Sequence, residues 1–340
     1  MRRLLPVLLL LALSACSTTV GIDYTQPSEV DMSSYRKLAV APVKAYEGLW
    51  INTGWIQSVG ESPLMNVYPT FSTDKLCRDT ASYAGSQLMG TLSASGYYEL
   101  LPPAETRSLI SSGYEALRDA GWQAVLLPEV TLMDLSEKVR SVRRMTRDRG
   151  ADGREILGME TEYILVQTAV LEYTLRIVDT SSGEEIASRS FRDSRTKDTW
   201  IDPTHPVYDD MDQFFRNMLR GFNKGINALL VPVRQVYDAK LVKNKPKLKA
   251  AGAAYDALAS GDRLTALALF RQLWDEERHV PSGCNAALLS ASEGDFETAL
   301  ELLEEVVSQT GDGTARDLLN DLSGVSARNS VGEQQTAGLD

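Results

Sequence analysis

The chain has 340 residues, enough for two or three folded units, and it carries 46 acidic against 35 basic side chains, for a formal net charge of −11. This acidity argues against nucleic acid as a partner, because binding the phosphate backbone needs clustered Lys and Arg. The chain has two His and three Cys. These are too few for the usual histidine or cysteine metal site, so we expect no metal and no cofactor.

The first residues have the pattern of a secretory signal peptide over 1–15. Two arginines precede an apolar run, Leu4 to Leu13, and small residues follow. Leu13-Ser14-Ala15-Cys16 resembles the lipobox of bacterial lipoproteins, and the resemblance implies cleavage before Cys16 and a covalent lipid on it. The alternative is an ordinary signal peptide with a chance cysteine. The family's inner-membrane retention signal would place Asp at the position of Ser17, so the resemblance favours the outer membrane, with the chain facing the periplasm.

Residues 16–34 are polar and rich in Ser and Thr, and we interpret them as a lipidated, flexible tether. The other two cysteines, Cys77 and Cys284, fall on apolar faces of helices in different predicted domains. A disulfide between them is open from the sequence, which favours two separate buried thiols.

Residues 35–235 are predicted to form an α/β (α+β) domain with a mixed sheet. Buried-strand runs, period-two alternation and helical periodicity recur along this region. The elements are expected at 36–43, 74–95, 97–101, 104–120, 124–135, 163–178, 186–192 and 207–229, in the order β-α-β-α-β-β-β-α.

Two segments of this domain, together with the lipobox, resemble the curli-secretion-channel lipoprotein superfamily, which includes activator lipoproteins of peptidoglycan synthases. The segments are Tyr35-Arg36-Lys37-Leu38-Ala39-Val40-Ala41-Pro42 and Arg176-Ile177-Val178-Asp179-Thr180-Ser181-Ser182-Gly183-Glu184-Glu185-Ile186. The resemblance implies a domain without catalytic residues. Channel members insert two alternating hairpins into the membrane, but residues 134–158 are arginine-rich and lack that alternation, so we expect no pore.

Beyond a lysine-rich linker at 236–249, residues 250–323 are predicted to form a small all-α domain. Gly261-Asp262-Arg263-Leu264-Thr265-Ala266-Leu267 matches Gly294-Asp295-Phe296-Glu297-Thr298-Ala299-Leu300 at a separation of 33 residues. This resembles tetratricopeptide repeats, which are helix–turn–helix units of about 34 residues. The alternative is two generic helical hairpins. Residues 324–340 are polar and are predicted to be a disordered tail.

Three groups of residues are candidates for binding a partner. Aromatic residues in the segment 46–71, among them Trp50, Trp55 and Tyr68, either form a binding surface or pack back on their own sheet. Arginines in the segment 138–154, among them Arg140, Arg143 and Arg144, either contact an anionic partner such as lipid phosphates or an acidic protein, or lie at a solvated hairpin tip. Phe270 and Trp274 are assigned to the groove of the repeats.

One polar cluster has catalytic residue types, since His205 could pair with Asp202 or Asp209 as a general base. We favour the alternative that Asp202 or Thr204 caps a helix whose first turn holds Pro206. The sequence has no phosphate-binding loop, dinucleotide fingerprint or nucleophile elbow. We therefore expect no catalytic residues and no enzymatic activity.

The sequence thus predicts an outer-membrane-anchored periplasmic lipoprotein that acts as a non-catalytic adaptor for envelope protein assembly. Its expected partners are the membrane, through the lipid, envelope proteins, and a second copy of itself. One alternative is a subunit of an oligomeric secretion or envelope-assembly complex. Another is an envelope hydrolase, which depends on His205 alone.

Overall fold

The computed structural model describes residues 19–49, 51–53, 73–149, 155–201 and 211–337. The chain divides into two compact units: residues 32–231 form one, and the described residues before 32 join those after 231 in the other. The strands are β1 (Thr19–Gln26), β2 (Lys37–Val40), β3 (Ile51–Thr53), β4 (Glu99–Leu101), β5 (Ala124–Arg149), β6 (Glu155–Asp179), β7 (Glu185–Ile201) and β8 (Val233–Lys240). The helices are α1 (Thr73–Ser95), α2 (Pro103–Ile110), α3 (Tyr114–Asp119), α4 (Met211–Leu230), α5 (Gly252–Ala259), α6 (Arg263–Glu277), α7 (Val280–Ser292), α8 (Phe296–Thr310) and α9 (Gly313–Thr336).

The first unit, residues 32–231, is built on a mixed sheet in the order β4-β2-β5-β6-β7, with the short β3 also paired to β5. Strand β2 runs parallel to β4 and to β5, whereas β5, β6 and β7 form an antiparallel meander. The prediction of a mixed sheet followed by a helical C-terminal region is confirmed.

Helices cover both faces of this sheet. On one face, Leu117 of α3 packs with Ala39, Val125 and Val178. On the other, the ring of Phe222 in α4 lies 5.8 Å from that of Phe191 in β7. Apolar side chains at helical and alternating spacing bury both faces, which is how the sequence specifies these layers.

The helix predicted over 74–95 is confirmed as α1, and Gly96 follows it with a φ of 63°. The single helix predicted over 104–120 is instead two short helices, α2 and α3. Gly113 lies between them with a φ of 98°, a conformation that a continuous helix cannot contain.

The two segments that carry the family resemblance meet in space. The Tyr35 hydroxyl donates to Asp179 Oδ2 at 3.0 Å, and the backbone N–H groups of Ser181 and Ser182 donate to Asp179 Oδ1 at 2.6 and 3.0 Å. The Ser181 hydroxyl also donates to Oδ1 at 2.5 Å. This bond contributes most, and together with the others it lowers the pKa of Asp179 to about 2. The carboxylate therefore fixes the turn between β6 and β7.

The prediction of flexible segments around the second unit is wrong in two places. Within the proposed tether 16–34, residues 19–26 form β1. It pairs antiparallel with β8, which occupies residues 233–240 and so takes the start of the proposed linker 236–249. The strand forms because Val20 and Ile22 alternate with polar residues, and burying these two side chains against the helices stabilises it.

The internal repeat is visible as two helical hairpins, α5–α6 and α7–α8. Gly261 and Gly294 end the first helices with φ of 87° and 88°. Asp262 and Asp295 then cap the second helices by accepting from the N–H groups of Thr265 and Thr298 at 3.1 and 3.0 Å. These two caps, 33 residues apart, give both turns the same backbone.

The predicted disordered tail at 324–340 is also wrong for the residues that the structure describes, because α9 continues to Thr336. Its last turns are hydrogen-bonded to the end of β1 and to the residues just after it. Asn329 Oδ1 accepts from the Thr25 N–H at 2.8 Å, and Gln335 Oε1 accepts from the Ser28 N–H at 2.8 Å. Gly332 lies against Thr25 so closely that a Cβ there would overlap the Thr25 carbonyl.

Candidate partner-binding site

The antiparallel pair β5–β6 continues past the end of β7, whose last residue, Ile201, pairs with Tyr163. Residues 142–149 and 155–162 remain paired with each other in continuous register. We call these two segments the exposed ribbon. Eight residues in each strand give it a length of about 27 Å. The sequence analysis predicted strands only over 124–135 and 163–178, so the ribbon was missed.

One face of the ribbon is a continuation of the buried face of the sheet. Leu135 and Leu165 are buried on this face, and with no irregularity beyond Leu132 the same alternation leads to Met145, Met159 and Leu157. Met145 and Met159 are directly opposite each other. They and Leu157 are 67%, 65% and 64% exposed, so three large apolar side chains face solvent on one side of two strands.

Arginines flank these apolar side chains on the same face. The alternation that places Met145 on this face also places there Arg143, Arg147 and Arg149. Their cross-strand partners are Thr161, Leu157 and Glu155, so only Arg149 is opposite an acidic residue. Within the described ranges none of the three guanidinium groups forms an ion pair. The face is therefore apolar in the middle and positively charged around it, a combination typical of interface residues, where Met and Arg are enriched.

On the opposite face of the hairpin, two arginines form ion pairs. Arg144 Nη1 lies 3.5 Å from Glu162 Oε1, and Arg140 Nη2 lies 2.5 Å from Asp198 Oδ2. Trp200, opposite Ile164, is 60% exposed beside Arg140. The two faces thus differ in how many of their arginines are free to pair with a partner.

The sequence-predicted arginines are therefore divided between two faces. Arg143 lies on the apolar face, whereas Arg140 and Arg144 lie on the other and form ion pairs. The exposed Met145, Leu157 and Met159 were not predicted. The sequence feature that could have predicted them is the period-two spacing of Arg143, Met145 and Arg147, which is hard to recognise as a strand because two of the three residues are charged.

The assignment of Phe270 and Trp274 to a binding groove is wrong. Both side chains are fully buried in the core of the second unit, which we call the helical unit. There the ring of Phe270 lies 5.0 Å from that of Tyr255 in an edge-to-face contact. Helix α7 covers Trp274, because a Cβ at Gly283 would come within 3.0 Å of the indole. These aromatic residues hold the hairpins together and cannot contact a partner.

Other predicted site residues lie outside the described residues. These are Cys16, Trp50, Trp55, Tyr68 and the cluster around His205.

The two remaining cysteines are separate free thiols, and both are buried, as predicted. Burial raises the pKa of Cys77 and raises that of Cys284 to about 12, so both remain protonated. A buried, protonated thiol is a poor nucleophile and a poor metal ligand. Among the residues with described positions, no three His, Cys, Asp or Glu side chains are grouped to hold a metal ion.

A groove of about 540 Å³ lies in the first unit between the end of β2 and the helices α1 and α2. Its floor includes Pro42, Val43 and Met89, and the exposed Arg78 and Arg107 stand at its rim. The groove has the size of a small-ligand site.

None of the described helices is long and apolar enough to cross a membrane. No family model matches the chain, and no curated protein matches it.

Among solved structures, the chain is similar to the PelC dodecamer from Paraburkholderia phytofirmans, with 13% identity and a TM-score of 0.25, over 63% of this chain and 99% of that one. A leucine-to-methionine variant of that dodecamer gives 13% identity and a TM-score of 0.26, over 63% and 98%. A homolog of neuraminyllactose-binding hemagglutinin from Helicobacter pylori gives 16% identity and a TM-score of 0.26, over 60% and 83%.

Proposed function

We propose that this chain is a lipid-anchored, non-catalytic adaptor of the bacterial envelope, which binds an acidic envelope protein through the exposed ribbon. The observation that carries the proposal is the unpaired, arginine-flanked apolar face formed by Met145, Leu157 and Met159. The lipobox-like residues before Ser17 support the anchor, and Ser17 itself favours the outer membrane.

The ribbon suits a protein partner for two physical reasons. Exposed Met side chains adapt their shape to an apolar patch at little cost, because the thioether side chain is flexible and polarisable. The free guanidinium groups of Arg143, Arg147 and Arg149 can pair bidentately with carboxylates around such a patch. An acidic protein surface with an apolar centre is the matching partner.

The helical unit is proposed to pack in the manner of tetratricopeptide repeats. Its two hairpins share the caps Asp262 and Asp295 and bury Ala266 and Ala299 at equivalent positions. Small residues at these positions let the helices approach closely, as a repeat stack requires. Two hairpins are fewer than an independent stack needs, and α9 supplies a further helix against α8.

Site-specific photo-crosslinking in intact cells tests the ribbon. A photoreactive residue at position 145 or 159 is expected to crosslink a discrete envelope protein. The matched control is position 160, which is exposed but lies on the opposite face. Equal crosslinking from 159 and 160, or none from 145 and 159, would overturn the assignment of this face.

Two further measurements test the rest of the proposal. Intact mass of the membrane-extracted protein is expected to show loss of residues 1–15 and acyl chains on Cys16, and Cys16→Ser should abolish both. The size of the detergent-extracted protein separates an adaptor from the oligomeric alternative, because a ring of many protomers would support a secretion or assembly complex. An activity that disappears in His205→Ala without loss of fold would instead establish the hydrolase.

A further inference from the structure

The strand pairing of the second unit fixes which part of the surface lies beside the proposed anchor. Thr19, the first residue of β1, pairs with Lys240, the last residue of β8. Cys16 is three residues before Thr19, so the chain between them spans at most about 10 Å. If Cys16 is acylated as proposed above, Lys240 is held next to the membrane surface.

Lys240 opens a segment of unusual charge in this acidic chain. Residues 240–249, which we call the lysine segment, contain Lys240, Lys243, Lys245, Lys247 and Lys249 and no Asp or Glu. All five lysines are exposed. None of them pairs with a carboxylate within the part of the chain that the structure describes.

The backbone of the lysine segment is fastened to the helical unit. The side chain of the buried Asn285 accepts from the Val242 N–H at 2.8 Å and donates to the Val242 carbonyl at 2.9 Å. Tyr255 donates to the same carbonyl at 2.6 Å.

The later part of the segment is fixed in the same way. Asn244 bridges to the backbone of Leu248 through a donated and an accepted bond of 2.9 and 2.8 Å. His279 Nε2 lies 3.2 Å from the Pro246 carbonyl oxygen. The ammonium groups are therefore carried by an ordered loop, and binding several phosphates at once costs little backbone entropy.

We propose that the lysine segment binds the phosphate groups of anionic phospholipids in the leaflet that holds the acyl chains of Cys16. This inference rests on the proposed acylation, which supplies the proximity. A lipid chain combined with a basic cluster anchors a protein more stably than either alone, and lysines near an anionic surface attract it only within about 10 Å. Because the rest of the chain is acidic, the segment also determines which side of the helical unit faces the membrane.

The test uses the full mature chain without acyl groups, carrying Cys16→Ser, so that its result is independent of lipidation. Co-sedimentation is measured with vesicles of phosphatidylcholine alone and with vesicles containing about 30% phosphatidylglycerol, both at low salt. We expect at least about tenfold tighter binding to the anionic vesicles. Replacing the five lysines by Gln should abolish this preference, whereas replacing them by Arg should keep it.

A charge-matched control comes from the same chain. Gln at Lys37, Lys44, Lys75, Lys197 and Lys224 makes an equal change of net charge in the other unit and should leave vesicle binding intact. Unchanged binding of the variant with Gln at the five lysines of the lysine segment would overturn the proposal. Equal binding of wild type to both kinds of vesicle would also overturn it, and would favour an acidic protein as the partner of the lysine segment. Intact mass of the cellular protein reports separately whether Cys16 is acylated.

Discussion

Among the described residues, β1–β8 and the exposed ribbon are both pairs of antiparallel strands in which apolar and other residues alternate. They differ in whether helices cover their apolar side chains. In β1–β8, the apolar side chains Val20 and Ile22 are buried against helices of their own unit. In the exposed ribbon, Met145 and Met159 face solvent. The first ribbon completes a core, whereas the second presents a surface.

The difference shows that the role of an alternating strand is decided by whether another part of the chain covers it. Helix α9 supplies Asn329, Gly332 and Gln335, which fasten the end of β1. The exposed ribbon carries arginines among its apolar residues, and charged side chains disfavour burial under a helix. Contiguous apolar surface left exposed in this way marks interaction sites.

The largest expected effect is on the stability of the helical unit, in which helices cover β1–β8. Trp274→Ala removes a fully buried indole and should lower the free energy of unfolding of the helical unit by about 3–5 kcal/mol, measured by urea denaturation. Leu264→Ala, at an exposed position of the same helix, is the control and should change it by less than about 0.5 kcal/mol. If Trp274→Ala lost partner binding but kept the stability of wild type, Trp274 would belong to a binding groove after all.

The next effect concerns the clamp on β1. Gly332→Ala should destabilise the same unit by about 1–3 kcal/mol, because the added methyl group overlaps the Thr25 carbonyl. Gly324→Ala is the matched control in α9, since its nearest neighbour is the flexible Arg328 side chain at 3.6 Å, and it should stabilise the helix by up to about 1 kcal/mol. Equal unfolding midpoints of the two variants would show that α9 does not hold β1.

On the uncovered ribbon the effect on stability should be small and the effect on binding large. The double variant Met145→Asp with Met159→Asp should lower the unfolding free energy by no more than about 1 kcal/mol, since both positions are exposed but the two carboxylates are directly opposite each other. With the photoreactive residue moved to position 157 on the same face, the double variant should lose crosslinking to the proposed acidic partner, because carboxylates repel an acidic surface. Glu160→Asp is the control, and an unfolded double variant would mean that the ribbon is covered in solution.

The smallest effect is that of Asp179, whose pKa is lowered to about 2 by hydrogen bonds from the turn. A lowered pKa means that its stabilising contribution is complete above the ordinary carboxyl value and is lost as the pH falls through about 2. Asp179→Asn should therefore cost less than about 1 kcal/mol at pH 7, since the group is solvent-accessible. The difference in unfolding free energy between wild type and Asp179→Asn should vanish in acid. A difference that stays constant with pH would contradict the role assigned to the Asp179 carboxylate.

The sequence predicted those parts of the structure that depend on local patterns. Helix α1, the meander of β5 to β7 and the two glycine–aspartate turns were all visible as periodicity or repetition. The Asp262 and Asp295 caps are an example, since a cap needs only the residues three positions ahead.

The parts that were missed depend on distant partners or on polar packing. Residues 19–26 alternate Val20, Ile22 and Tyr24, but their pairing partner begins at Val233, far along the chain. The end of α9 is held by Asn329 and Gln335 through hydrogen bonds, which a search for apolar periodicity does not detect. The exposed apolar face was missed because Met145 stands between Arg143 and Arg147, and these charged residues interrupt the apolar alternation that predicts a strand.

The pairing of the first strand with the last elements sets the order in which the protein can mature. Synthesis produces β1 first, but its partners β8 and α9 follow far along the chain, and contacts of such sequence separation form slowly. A truncation in the last turns of α9 would thus remove hydrogen bonds made to Thr25 and Ser28 near the other end of the described chain. The second unit can therefore close around β1 only after α9 has been synthesised.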